Sequence, residues 1–142
     1  MRIHSLFGAA TLLAISLLMG CSQAQAEGLK VVANTEQPLT LSREQVRNLY
    51  MGATLGYGLK PVALPASNRH RSMFNTRVIG LAEARIQSYW AQMRFTGRLR
   101  PPTEVADERS LSDYLTDHPG AVGYLPASYP LPDHLTVLYQ TD

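Results

Sequence analysis

Five consecutive residues, Ser67-Asn68-Arg69-His70-Arg71, bring together groups that bind anions in proteins. A hydroxyl, an amide and two guanidinium groups can each donate hydrogen bonds to an oxyanion such as phosphate. Ser67 or Asn68 is also suited to cap a helix, because a short side-chain oxygen accepts a backbone N–H group there. Arg69 and Arg71 would oppose the dipole of that helix, a cost that a bound anion would offset. The alternative is that both arginines are solvated surface residues.

The segments around these residues predict how they are positioned. Pro61–Pro65 is short, apolar and bounded by prolines, which is typical of a buried strand that leads into the polar turn. Further apolar or β-branched runs predict the other strands, at 29–34, 104–106, 121–125 and 135–139. Because strands alternate with helices, we predict an α/β fold with a mainly parallel sheet of about five strands and helices on both faces.

Helix signals separate these strands. Ser42 and Gln45 form a capping-box pattern, and Ser110 with Asp113 three residues later predicts the start of a later helix. Gly80 predicts a break after the helix that follows Asn68. The next helix carries an apolar stripe that includes Trp90, the single tryptophan of the chain, so we predict that this side chain is buried.

Patterns for catalysis or metal binding are missing from the sequence. There is no G-x-S-x-G nucleophile motif, and His70, His118 and His134 lack the spacing of metal ligands. Asp107 and Glu108 are adjacent carboxylates in a predicted loop, where we expect both to face solvent. We therefore expect a non-enzymatic protein without a metal or cofactor.

The charge distribution is uneven, although the formal net charge is only +2. Seven arginines and one acid, Glu83, lie between residues 69 and 100, whereas seven acids and one base lie between residues 104 and 142. This asymmetry could direct anions to the middle of the chain, or both sets could lie on solvated helix faces. The small net charge argues against a nucleic-acid partner.

Residues 1–26 have the pattern of an export signal, followed by a domain at 27–142. Arg2 precedes an apolar run that is too short to predict a membrane-spanning helix. Two processing sites compete: a lipobox-like Leu18–Cys21 segment, with a lipid on Cys21, and an A-x-A site at Ala24–Ala26. The lone cysteine favours lipidation, since the rest of the chain has no thiol. Both alternatives predict a periplasmic protein.

The order of several motifs resembles the phosphate-binding protein family of bacterial ABC importers, within the periplasmic binding protein superfamily. The resemblance extends from about residue 31 to residue 138. The segments that carry it are Leu41–Gly52, Pro61-Val62, Phe74, Tyr89-Trp90, Phe95–Gly97, Pro101-Pro102 and His118–Tyr124.

The resemblance implies a single lobe of a two-lobed binding protein. In full-length relatives a glycine-rich turn at the start of a helix holds phosphate, and its place here is Leu64–Arg71. The polar turn and the helix are retained without the glycines, so the implied ligand set is Ser67, Asn68, Arg69 and Arg71. The implied function is weak binding of phosphate or a similar oxyanion, linked to ABC-type uptake. The alternative is an interaction module that binds a transporter or envelope protein.

Overall fold

A computed structural model describes residues 27–97 and 99–142, so the predictions for residues 1–26 lie outside the described residues. Within these two ranges five strands form one sheet: β1 (Leu29–Ala33), β2 (Lys60–Ala63), β3 (Thr103–Glu104), β4 (Ala121–Pro126) and β5 (Thr136–Gln140). Their order is β3-β2-β4-β1-β5. β2 is parallel to β3 and β4, whereas β1 is antiparallel to β4 and β5. Four of these strands therefore share one direction, which confirms the mainly parallel sheet.

Helices cover both faces of this sheet, as predicted. They are α1 (Arg43–Tyr50), α2 (Arg69–Phe74), α3 (Glu83–Thr96) and α4 (Glu108–Asp117), and α2 continues into a π-helical segment, Asn75–Ile79. On one face of β4, the ring of Tyr124 stacks on that of Phe74 with centroids 4.0 Å apart. On the other face, a Cβ at Gly123 would lie 2.8 Å from a methyl group of Leu111, so glycine lets α4 approach the strand closely.

Several local signals act as the sequence predicts. Ser42 caps α1 in a complete capping box with Gln45, and the π-helical segment ends at Gly80, which has a φ of +75°. One helix start was placed wrongly. Asp107, not Ser110, caps α4: the Asp107 carboxylate accepts a hydrogen bond from the Ser110 backbone N–H at 2.8 Å. Aspartate and serine are comparable N-cap residues, so the sequence alone did not distinguish Asp107 from the nearby Ser110.

Two buried tyrosines fix the end of β2, where the chain turns toward Asn68. The Tyr50 hydroxyl donates to the backbone oxygens of Val62 and Val122, at 2.8 and 3.2 Å. The Tyr124 hydroxyl accepts a hydrogen bond from the backbone N–H of Leu64 at 3.0 Å. Burial raises the pKa of both phenols, so both stay neutral. These hydrogen bonds attach the turn after β2 to the core.

Candidate functional site

The turn between β2 and α2 lies at the edge of the sheet where the parallel strands β2, β3 and β4 end. Asn68 is the N-cap of α2, and its side-chain oxygen accepts from the backbone N–H groups of His70 and Arg71, at 2.8 and 3.4 Å. Of the two capping residues that the sequence allowed, the structure uses Asn68. The cap engages two N–H groups that an anion would otherwise compete for.

Arg71 is not the solvated surface residue that the sequence left open as an alternative. It is only 8% exposed and donates to the backbone oxygen of Leu64 at 2.8 Å. Its guanidinium forms a two-pronged ion pair with Glu83 and reaches Glu104 at 3.4 Å. Burial alone lowers the pKa of Arg71, but the hydrogen bonds to Glu83 and the nearby negative charges, chiefly that of Glu83, together outweigh burial and raise the pKa. Arg71 therefore holds the turn and α3 together.

Ser67 is exposed on the turn, and Arg69 is exposed at the first position of α2. Within residues 27–97 and 99–142, neither side chain takes part in a hydrogen bond or an ion pair of the kinds that fix Asn68 and Arg71. Of the four predicted ligand residues, these two have side chains directed to solvent, while the other two are engaged inside the protein. The four predicted residues therefore lie close together, but two of them are available to a ligand and the other two stabilise the fold.

Glu108 brings a carboxylate to the same place, which sequence reasoning missed. One of its oxygens accepts from the Asn68 side-chain amide at 2.8 Å and lies 2.7 Å from Nδ1 of His70. Burial alone raises the pKa of Glu108, but the hydrogen bonds from His70 and Asn68 outweigh burial and lower it. The prediction that Glu108 faces solvent is therefore wrong, because its side chain is only 24% exposed.

The reason that Glu108 reaches the turn is topological. Neighbouring parallel strands end at the same edge of a sheet, so the segment after β3 comes to lie beside the segment after β2. Another carboxylate, Glu27, lies near this edge. Its pKa is lowered mainly by a hydrogen bond from Ser128, and the positive charge of Arg69 lowers it further. The edge therefore carries charges of both signs.

A partly enclosed cleft of about 240 Å3 lies beside this edge, between α3 and the aromatic core. Its lining includes Arg71, Asn75 and Gln87. All three side chains donate hydrogen bonds to Glu83, those of Asn75 and Gln87 at 2.6 and 2.7 Å. Sequence reasoning did not find this cleft, because no local pattern joins the segments that surround it. The remaining lining residues are Tyr50, Met51, Ala63, Phe74, Ile79, Ile86, Trp90, Arg94, Pro101, Pro102, Glu104 and Tyr124.

Neither a metal centre nor a membrane span is found in the described part of the chain. No group of three or more His, Cys, Asp or Glu side chains there is placed to hold a metal ion. No helix among residues 27–97 and 99–142 combines the length and apolar character needed to cross a bilayer.

Comparison with known proteins identifies the fold. No family model and no curated protein matches the sequence. Among solved structures, an ABC-type phosphate transport receptor from Vibrio cholerae aligns over 79% of this chain and 45% of its own, with a TM-score of 0.59 and 18% identity. A phosphate ABC transporter substrate-binding protein from Clostridium perfringens, with bound phosphate, aligns over 79% and 44%, with a TM-score of 0.59 and 14% identity.

PstS from Borrelia burgdorferi aligns similarly, over 79% of this chain and 46% of its own, with a TM-score of 0.60 and 12% identity. At these identities the likeness concerns the fold. The chain spans less than half the length of each of these receptors. The resemblance inferred from the motifs is confirmed at this level: the described chain has the fold of a single lobe of the phosphate transport receptors.

Proposed function

We propose that this chain is an exported, non-enzymatic solute-binding protein that holds phosphate or a similar oxyanion weakly at the turn between β2 and α2. The observation that carries the proposal is the exposure of Ser67 and Arg69 at the edge where the parallel strands end. Ligands of open α/β sheets bind at that edge. Asn68 shapes the turn as the helix cap, and Arg71 holds it in place through Leu64.

The affinity should be low for three reasons. Of the four predicted ligand residues, only Ser67 and Arg69 have side chains without a partner in the described part of the chain, and an exposed ion pair contributes about 0–1 kcal/mol. The carboxylate of Glu108 already accepts hydrogen bonds beside the first turn of α2 and repels a second anion. The side-chain oxygen of Asn68 already occupies the backbone N–H groups of His70 and Arg71. We therefore expect a Kd near 1 mM rather than 1 μM, a difference of about 4 kcal/mol.

NMR titration with phosphate and sulfate tests this proposal. The backbone signals of residues 66–71 should shift, and the Kd should rise with added salt because the cation is exposed. Arg69→Gln combined with Ser67→Ala should abolish the shifts, while Arg85→Gln, an exposed arginine on α3, should leave them unchanged. Micromolar binding by a monomer, or shifts that survive the double substitution, would show that the proposal is wrong. Tight binding confined to a dimer would mean that a second chain completes the site.

The proposed location is the periplasm, where the protein would work beside an ABC-type phosphate importer. The basic start and apolar run of residues 1–26 support export, and Cys21 supports a lipid anchor. The solved structures that share its fold are phosphate transport receptors, which supports the link to uptake and the absence of an enzymatic role.

A second candidate function is the binding of an envelope or transporter protein through the outer face of α3. Phe95 supports it, because this large side chain is 95% exposed beside Ala91, Gln92 and Thr96. Exposed aromatic residues are enriched at protein interfaces. A photo-crosslinker at position 95 in the native host should capture one discrete protein, whereas one at exposed Arg85 should not. Equal labelling from both positions would count against this function.

A further inference from the structure

The α3 cleft, as defined by its lining residues above, shares Arg71 with the support of the anion turn but contains neither Ser67 nor Arg69. Of the fourteen residues of α3, Ile86 and Trp90 are buried, so the helix is held at a few points and leaves a gap above the core. The volume of about 240 Å3 exceeds the roughly 150 Å3 that accommodates benzene in a dry protein cavity. The gap is therefore large enough for a six-membered ring with a few polar atoms.

The lining of the cleft combines apolar residues with polar residues that are already engaged. Phe74, Trp90 and Ile86 contribute rings and methyl groups, and two prolines contribute further apolar surface. Three polar lining residues, Arg71, Asn75 and Gln87, donate hydrogen bonds to the carboxylate of Glu83. A ligand would thus gain from burying an apolar group against the apolar part of the lining.

Two opposite charges at the cleft point to the polar end of such a ligand. Arg94 belongs to α3 and Glu104 to β3, and both line the same cleft. Among the described residues Arg94 forms no ion pair, and the Glu104 side chain is 55% exposed with a single contact of 3.4 Å to Arg71. A cation and an anion that flank one apolar cleft without neutralising each other are complementary to a zwitterion.

We propose that the α3 cleft binds a free amino acid with an apolar or aromatic side chain. The carboxylate of the amino acid would pair with Arg94, its ammonium group with Glu104, and its side chain would pack against the apolar lining that includes Trp90 and the two prolines. This site does not depend on the anion turn, and either one can exist without the other.

Trp90 makes the proposal directly measurable, because it is the single tryptophan of the chain and lines the cleft. Titration of the protein with L-phenylalanine or L-leucine should change the tryptophan fluorescence saturably, with a Kd between roughly 10 μM and 1 mM. Phenylacetate lacks the ammonium group and phenethylamine lacks the carboxylate, so each should bind at least about 5-fold more weakly than phenylalanine. Phosphate should leave the fluorescence unchanged.

Single substitutions test which charged residue binds which group of the amino acid. Arg94→Gln should weaken phenylalanine binding about 5-fold and remove the preference for phenylalanine over phenethylamine. Glu104→Gln should remove the preference over phenylacetate in the same way. Arg85→Gln lies on the same helix outside the cleft and should behave like the parent.

The proposal is overturned if neither amino acid gives a saturable change at concentrations up to about 10 mM. It is also overturned if phenylacetate or phenethylamine binds the parent protein as tightly as phenylalanine does, or if the two charge variants keep the parent's preferences. Phosphate-induced NMR shifts at residues 66–71 without amino-acid binding would remove this inference and leave the proposed function intact.

Discussion

At the scale of single residues, Arg69 and Arg71 differ in role although they are two positions apart. Arg71 is buried and bonded to Leu64 and Glu83, whereas Arg69 is exposed. Arg71→Gln leaves the Glu83 carboxylate without its counter-charge, and we expect a loss of about 2–3 kcal/mol in the free energy of unfolding. This is less than the ~3–5 kcal/mol for a fully buried pair, because Glu83 keeps other partners.

Urea denaturation measures this difference, with Arg69→Gln as the matched control. The control should stay within about 0.5 kcal/mol of the parent, as surface substitutions generally do. Equal stability of the two variants would mean that the ion pair of Arg71 contributes little to folding. The comparison also distinguishes two causes of lost anion binding. A variant can lose binding because it unfolds, or because a side chain that contacts the anion has been removed.

Glu83 gives the protein an acid-sensitive stability. Burial alone raises its pKa, but hydrogen bonds from Arg71, Gln87 and Asn75 outweigh burial and lower the pKa from its ordinary value of 4.5. Because the folded-state pKa is below the unfolded one, this stabilisation is complete above about pH 5 and is lost as the pH falls through the folded-state value. Glu83→Gln should therefore lose less unfolding free energy than the parent between about pH 5 and pH 3.

Urea unfolding at a series of pH values measures this slope. Glu44→Gln is the control for the loss of an acid, because Glu44 is exposed on α1 and forms no ion pair among the described residues. Some pH dependence should remain in Glu83→Gln, since the pKa of Glu108 is also lowered in the folded state. A slope equal to the parent's in Glu83→Gln would contradict the assignment.

At the scale of elements, α3 is the least embedded helix, and Trp90 is its main anchor. The prediction that Trp90 is buried is confirmed, since the side chain is 4% exposed. One side of the indole faces the cleft, so Trp90→Ala should cost about 3 kcal/mol, the lower end of the range for a large aromatic residue in a core. Thermal unfolding checks this, and Phe95→Ala on the exposed side of the same helix should melt like the parent.

At the scale of the whole molecule, the processing of residues 1–26 decides how the lobe is presented. The lone Cys21 in a lipobox-like segment predicts a lipid-modified amino terminus. Mass spectrometry of the protein from its native host should then show an acylated Cys21, and the protein should fractionate with membranes. A soluble species that begins at Glu27 would exclude the lipid and keep export.

The sequence by itself determined most of the local structure. The capping box at Ser42, the break at Gly80 and the burial of Trp90 were predicted because each depends on residues within one or two turns of chain. The number of strands and their mainly shared direction followed from the alternation of apolar strands and helices.

Only the tertiary structure decided which side chains of the Ser67–Arg71 segment are free. Arg71 pairs with Glu83 and contacts Glu104, 12 and 33 positions away, and Asn68 donates to Glu108, 40 positions away. The α3 cleft likewise needs several segments that meet only in the folded chain. Such partners are set by strand order and by how loosely α3 packs, and neither leaves a periodic or capping signal in the sequence.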